Sequence, residues 1–233
     1  MITTDPKILV LAFLGGFIPS FLWLWFWLKE EEHPEPKGLL TVVFIMGMVS
    51  VFIALPIEKF IQANVGSQTG QIILWASAEE ILKYLAVLVV LYKSDYINEP
   101  IDWPIYIITT ALGFAALENA FFLIRPFSVN QATVALLTGQ LRFLGSTLLH
   151  TVTSGTIGIA VGLSFFMSRF GKKWFLFMGF IVAIALHSAF NFFIMRNSGN
   201  DFLKVSAFLW VVTIIIMLLF EKVRRMSEDY QPN

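Results

Sequence analysis

The chain has 233 residues, of which 57% are hydrophobic and 14% are charged, and its formal net charge at neutral pH is zero. In a soluble domain about a quarter of the residues are charged, so this composition indicates a membrane protein. The balanced charge argues against a nucleic-acid partner, and the absence of cysteine excludes disulfides and thiolate chemistry.

Seven apolar stretches are long enough to cross a bilayer core of about 30 Å as helices. In chain order they are 8–28, 38–57, 72–92, 103–124, 143–167, 174–195 and 202–220. Segment 133–143 is either an interfacial eighth helix or an early start of the fifth span. No internal repeat divides the chain. We therefore expect an all-α fold, a polytopic membrane helical bundle with about seven transmembrane helices, in which residues 1–233 form a single domain.

Four of these stretches carry polar residues that are rare inside membranes, where a central charge costs about 2.5–3.5 kcal/mol. They are Glu79, Glu80 and Lys83 in the third stretch, Glu118 and Asn119 in the fourth, His150 in the fifth, and His187 and Asn191 in the sixth. Because consecutive spans alternate in direction, a rise of about 1.5 Å per residue places all four patches at a similar depth from the same membrane face. The patches therefore predict one polar site.

Helical spacing indicates which of these groups can cooperate. Glu79 and Lys83 are four residues apart, so they share a helix face and are expected to pair, while Glu80 points about 100° away. His187 and Asn191 also share a face. A structural ion pair would explain Glu79 and Lys83 alone, but it would leave Glu80 and two buried histidines unexplained.

A different spacing appears in the fifth stretch. Ser154, Gly158 and Gly162 repeat every four residues, which is typical of close helix packing, so we assign them to packing and not to chemistry. Hydroxyl residues also flank His150 within one turn on either side. They could orient its imidazole ring or line a water-filled pocket.

The orientation follows from the distribution of Lys and Arg between the predicted loops. With the N-terminus outside, nine basic residues lie on the inner side and six on the outer side. The positive-inside rule therefore predicts a multi-pass cell-membrane protein with an outside N-terminus and a cytoplasmic C-terminus. The polar site would then lie in the extracytoplasmic half of the membrane.

Carboxylates and imidazoles that converge in a membrane cavity suit the activation of water. A glutamate can act as the general base while a histidine or asparagine donates to a developing oxyanion. Alternatively, His150, His187 and a carboxylate such as Glu118 supply three ligands of a catalytic zinc, and another glutamate is the base. The chain has no HExxH motif, so the sequence leaves both mechanisms open.

Two other classes of function are compatible with intramembrane polar residues. Glu, His and Lys also form proton relays and cation sites in ion-coupled or proton-coupled transporters. Secondary carriers often show an inverted repeat and paired broken helices, and neither is visible in this sequence. A catalytically silent protein that binds membrane helices is the remaining alternative.

Five motifs in order resemble those of the PrsW-type intramembrane proteases, which are related to the CAAX-protease and bacteriocin-processing superfamily. The motifs are the acidic linker EEEHPEPKGLL, AEEILKY (EExxK at Glu79, Glu80 and Lys83), GFAALEN (FxxxE at Phe114 and Glu118), RFLGSTLLHTVTSG with Arg142 and His150, and LHSAFN (HxxxN at His187 and Asn191). The resemblance covers most of the chain and implies an endopeptidase that cuts a membrane-anchored protein in or near its span. In some bacterial members of the family the substrate is an anti-sigma factor.

The resemblance also implies roles for individual residues. Glu79 or Glu80 would activate water, and Glu118, His150 and His187 would shape the site or bind a metal such as zinc. Supporting roles fall to Lys83, Asn119, Arg142 and Asn191. The implied partners are a membrane-anchored protein substrate and the lipid bilayer.

Overall fold

The computed structural model describes residues 5–29, 34–92, 94–128, 145–196 and 202–228. These residues form helices and no strands, and the prediction of an all-α membrane bundle is confirmed. The seven helices are α1 (Pro6–Leu28), α2 (Lys37–Asn64), α3 (Gln68–Val90), α4 (Asp102–Ser128), α5 (Thr147–Leu163), α6 (Arg169–Arg196) and α7 (Phe202–Glu228). The predicted segment 133–143 and Arg142 lie outside the described residues.

Local sequence explains where the first and third helices begin. The side chain of Asp5 accepts a hydrogen bond from the backbone nitrogen of Lys7, and Pro6 occupies the first turn, where its missing N–H has no helical partner to lose. The hydroxyl of Ser67 accepts from the backbone nitrogen of Gly70 at 3.3 Å and caps α3 in the same way. The short connection before Ser67 makes α2 and α3 antiparallel neighbours.

In the described part of the chain, five of the seven helices contain a segment long and apolar enough to cross a membrane. These segments are Pro6–Leu28, Lys37–Asn64, Asp102–Ile124, Arg169–Phe193 and Ser206–Ser227. The α3 helix differs because Glu79, Glu80 and Lys83 lie near its middle. The α5 helix is apolar, and its 17 residues lie within the predicted span 143–167, whose first two residues fall outside the described part of the chain.

The α4 helix is the centre of the bundle. In its most apolar segment 78% of the residues are buried, against 22% in α1 and in α6. It packs against α1, α2, α3 and α5. Contact with α2 is backbone to backbone, because a Cβ atom at Gly47 would collide with the carbonyl oxygen of Thr110 and one at Gly113 with that of Phe44. The core of the protein is therefore built around α4.

The outer surface is apolar, as a protein surrounded by lipid requires. Large hydrophobic side chains are exposed on most of the helices, for example Leu22, Phe52, Phe177 and Leu218. Such a surface would promote aggregation in water but suits the hydrocarbon of a bilayer. Inside it, α3 lies against α2, α4 and α6, and α5 lies against α4 and α6. Each of the four helices with polar patches thus contacts at least two of the others.

Candidate active site

The polar residues of α3, α4, α5 and α6 meet in one cluster, which we call the site cluster. Its members are Glu79, Glu80, Lys83, Glu118, His150 and His187. Lys83 and Glu80 have no exposed surface, and the other members on α3, α5 and α6 are at most 5% exposed. The prediction that the patches converge is confirmed by their contacts, while their chemical roles stay predictions.

Glu80 is the most completely bonded residue of the site cluster. Its Oε1 lies 2.7 Å from Nζ of Lys83 and 2.8 Å from Nδ1 of His187. The hydroxyls of Thr153 and Ser154 also donate to it, at 3.0 Å and 2.6 Å. With both oxygens engaged by four donors, this carboxylate is held as a fixed anion that orients its neighbours.

Lys83 contacts three acceptors rather than the single partner expected from spacing. The predicted pair with Glu79 is present at 3.8 Å, but the contact with Glu80 is shorter, at 2.7 Å. Its Nζ also lies 3.0 Å from Nδ1 of His150 and 4.8 Å from the ring centroid of Phe114. An ammonium has no acceptor lone pair, so Nδ1 of His150 accepts in this contact.

Glu79 carries the unsatisfied oxygen of the cluster. Its Oε2 is buried and has no hydrogen-bond partner, although Nζ of Lys83, Nδ1 of His150 and Nε2 of His187 each lie 3.8 Å from it. A buried carboxylate oxygen without a hydrogen bond is costly, so this atom faces a position that another group can fill.

The arrangement around that oxygen fits a metal ion. Glu79, His150 and His187 each offer one ligand atom, and these atoms all lie within 4.8 Å of one another. Two imidazole nitrogens and one carboxylate oxygen form a typical three-ligand set of catalytic zinc. Nδ1 of His187 donates to Glu80, which leaves Nε2 of that ring directed towards Glu79. In metal sites a carboxylate outside the ligand set often fixes a histidine ligand in this way.

Glu118 approaches the site cluster from α4. Its Oε2 lies 3.2 Å from Nε2 of His150, and its side chain is 20% exposed, against 7% for Glu79 and 0% for Glu80. The structure groups Glu79 with the two histidines where the sequence suggested Glu118. The assignment of Glu118 as a metal ligand stays a prediction, and its position is that of a carboxylate beside the ligand set.

The supporting residues differ in how close they come to the cluster. Asn119 donates to the hydroxyl of Thr147 at 2.8 Å and so connects α4 with α5. Asn191 is half-buried one turn beyond His187 on α6. The ring of Phe114 lies 5.4 Å from that of His150 and forms an apolar wall.

Ser154 does more than pack. Its hydroxyl donates to Oε2 of Glu80 at 2.6 Å, and its position one turn after His150 was the available signal. The assignment of Gly158 to packing is confirmed, because a Cβ atom there would lie 2.7 Å from Cα of Pro104. Gly162 is similar, with 2.6 Å to the carbonyl oxygen of Pro100.

Sequence reasoning missed two further groups near the site. Thr153 donates to Oε1 of Glu80, and nothing in its spacing set it apart from the other threonines of α5. Glu58 on α2 is half-buried and interacts electrostatically with Glu118 and Lys83. Its signal was a carboxylate close to the end of the second apolar stretch.

Comparison with known proteins agrees with this geometry. A family model described as PrsW family intramembrane metalloprotease matches residues 35–220. Relatives named Protease PrsW occur in Bacillus subtilis (27% identical, covering 84% of this chain and 89% of the relative) and Clostridioides difficile (29%, 78% and 79%). Another, in Geobacillus kaustophilus, is 25% identical over 78% of this chain and 79% of the relative. No solved structure matches the chain significantly.

Proposed function

The chain belongs to the PrsW family of intramembrane metalloproteases, and on that premise we propose how its site cluster hydrolyses a peptide bond of a membrane-anchored protein. The observation that carries the proposal is the buried Oε2 of Glu79, which makes no hydrogen bond and faces the ring nitrogens of His150 and His187. Lys83 is paired with this oxygen only at 3.8 Å, beyond hydrogen-bond distance. A purely structural ion pair would be expected to satisfy the oxygen with a hydrogen bond, whereas a site that receives another group leaves it open.

The metal assigned to this position is zinc, held by Glu79, His150 and His187. The choice of zinc rests on the donor set, because two nitrogens and one oxygen from protein leave a coordination position open. A zinc ion at such a site supplies Lewis-acid chemistry, which polarises a peptide carbonyl and makes water a stronger acid. Glu80 holds the imidazole of His187 in the tautomer that presents Nε2.

Glu118 is the proposed general base. It is the most exposed carboxylate of the site cluster, and Nε2 of His150 lies 3.2 Å from its Oε2 and holds it beside the ligands. From that position Glu118 can accept a proton from the attacking water and return it to the leaving amine. Glu80 is less suited to this step, because four donors already occupy its oxygens.

The substrate and orientation complete the proposal. The protein is a multi-pass membrane protein, and we place its N-terminus outside and its C-terminus in the cytoplasm because basic residues are more frequent in the inner loops. The site cluster then lies in the extracytoplasmic half. A membrane-anchored regulator of the anti-sigma-factor kind, cut at that depth, is the substrate class that we propose.

The first experiment separates metal binding from proton transfer. Purified native chain, Glu79→Gln and Glu118→Gln are compared for zinc content and for cleavage, with Glu221→Gln on α7 as a distant control. We expect about one zinc per native chain, loss of zinc and cleavage in Glu79→Gln, and loss of cleavage with zinc retained in Glu118→Gln. Full activity after exhaustive chelation would instead leave Glu79 as the base of a metal-free mechanism.

The second experiment identifies the substrate without a prior guess. The N-termini of membrane proteins are compared between cells that express the native chain and cells that express the Glu79→Gln, Glu80→Gln double variant. New termini in or beside the membrane span of another protein, seen with the native chain alone, are the expected result. Identical termini at rest and under envelope stress would contradict the proposed activity.

A further inference from the structure

We infer that Lys83 is an internal counter-cation of the metal site, and that its ammonium competes with the metal for Nδ1 of His150. The inference rests on the proposed zinc site and assigns a role to a residue that sequence reasoning called supporting. It concerns how tightly the site holds its metal, a property that can be measured without any cleavage.

Charge is the first step of the argument. Glu79, Glu80 and Glu118 bring three carboxylates into a buried cluster, and half-buried Glu58 adds a fourth within electrostatic range. Buried anions require a nearby cation. Lys83 provides one positive charge without exposed surface, in contact with two of these carboxylates.

Competition for one lone pair is the second step. The Nδ1 atom of His150 lies 3.8 Å from Oε2 of Glu79, the oxygen that makes no hydrogen bond, so Nδ1 is the nitrogen turned towards that ligand. Nζ of Lys83 lies 3.0 Å from the same Nδ1. A ring nitrogen has one lone pair, and it cannot accept from an ammonium and bind a metal at once.

The ammonium of Lys83 must have other contacts when a metal binds Nδ1 of His150. Its contact with Glu80 at 2.7 Å uses an oxygen outside the ligand set, and its position over the ring of Phe114, at 4.8 Å, is also independent of the metal. These two contacts can hold the ammonium after it releases His150. The lysine therefore neutralises the cluster before metal arrives and remains nearby afterwards, where it repels the ion.

If Lys83 competes with the metal, its removal should strengthen metal binding, whereas the loss of a supporting residue should weaken it. Loss of an outer residue that only supports the ligands weakens metal affinity by about 10–100-fold. Loss of a competing positive charge a few ångströms from a divalent ion should strengthen it, by about tenfold or more. Removal of the lysine should also make the metal-free protein less stable, because its carboxylates lose their counter-charge.

The test measures the affinity of the full-length chain for Zn²⁺ alone, buffered by a chromophoric chelator. Lys83→Met and the polar variant Lys83→Gln remove the charge, Lys83→Arg keeps it, and Lys59→Gln removes an exposed lysine at the end of α2 as a matched control. We expect Zn²⁺ to bind about tenfold tighter to Lys83→Met and Lys83→Gln than to native protein, with Lys59→Gln unchanged. Zinc should also raise the unfolding temperature of Lys83→Met more than that of native protein.

The outcomes separate this inference from the proposed function. Equal or weaker zinc binding by the charge-removing variants, with native protein still binding one zinc, overturns the role of Lys83 alone. If Lys83→Met does not accumulate, the comparison of Lys83→Gln with Lys83→Arg decides the sign. Absence of zinc from every form overturns the inference together with the zinc assignment, while cleavage by native protein would preserve the protease activity.

Discussion

The protein contains a second buried acidic group, at the opposite end of α4 from the site cluster. We call it the linker cluster, and its members are Glu35, Asp102, Tyr106 and Ser227. The hydroxyl of Tyr106 donates to Glu35, and Oδ2 of Asp102 accepts from two backbone N–H groups at 2.7 Å and 2.8 Å. The hydroxyl of Ser227 accepts from the backbone nitrogen of Ile101 at 3.1 Å.

Both clusters contain buried carboxylates, but their acceptors differ in what they do. In the linker cluster Glu35 accepts from Tyr106 and connects the α1–α2 linker with α4, while Asp102 accepts from the backbone before α4. The hydroxyl of Ser227 accepts from Ile101 and connects α7 with the same region. In the site cluster Oε2 of Glu79 makes no hydrogen bond, although it lies beside two imidazole nitrogens. Burial of a carboxylate in a membrane protein therefore does not by itself mark an active site. A buried acceptor that makes no hydrogen bond and faces other potential metal ligands is the better indication.

The largest expected effect is that of Glu79→Gln on cleavage. The substitution removes an anionic ligand, so the cleavage rate should fall by about 10³-fold or more. Between the metal-free forms the thermal unfolding midpoint should change little, because Oε2 makes no hydrogen bond and lies 3.8 Å from Lys83. The cleavage rate is measured with zinc present, and the midpoint is measured after both proteins have been stripped of metal, because bound zinc would itself stabilise native protein. A fall in both together would place Glu79 with the structural carboxylates.

His150→Ala should remove the metal. The histidine offers a ligand atom within 4.8 Å of those of Glu79 and His187, and two remaining ligands bind zinc weakly. Elemental analysis of protein purified without added zinc should show about one ion per native chain and close to none in the variant. Native protein stripped by a chelator is the control, and full metal content in His150→Ala would contradict the ligand assignment.

Tyr106→Phe should have the reverse effect of Glu79→Gln. The substitution removes the hydroxyl that donates to buried Glu35, so the free energy of unfolding should fall by about 1–3 kcal/mol. Zinc content and the cleavage rate per folded molecule should not change. Denaturant titration in detergent, paired with elemental analysis, checks this. If Tyr106→Phe kept its stability but lost activity, the linker cluster could not be called structural in contrast to the site cluster.

The smallest expected effect is that of Ser154→Ala. Glu80 loses one of four donors and keeps the other three, so cleavage should slow by about three- to tenfold. Thr156→Val is the matched control on the same helix, since its hydroxyl donates to the backbone carbonyl of Val152, at 2.8 Å. Equal rates in both variants would show that the orientation of Glu80 does not depend on Ser154.

The convergence of the site cluster could be predicted from the sequence because it depends on depth alone. Alternating helices place residues near a start and residues near an end at the same membrane face, which applies to Glu79, Glu118, His150 and His187. The choice of partners could not be predicted. Lys83 can reach back three or four residues on its helix, and donors from α5 and α6 decide that Glu80 is the closer contact.

The linker cluster could not be found from sequence for a different reason. Tyr106 lies within an apolar stretch, and no spacing rule connects it with Glu35 in a linker or with Ser227 at the end of α7. The linker motif was recognised only through the family resemblance. The single domain, the orientation of the termini and the residue roles in catalysis stay predictions.

The close approach of α2 and α4 has a consequence for the site cluster. A Cβ atom at Gly113 would collide with the carbonyl oxygen of Phe44. An alanine at this position would force the two helices apart, and Glu118 would move with α4 because it lies five residues further along the same helix. A residue without any functional group thus acts as a spacer that sets where a carboxylate of the site cluster lies.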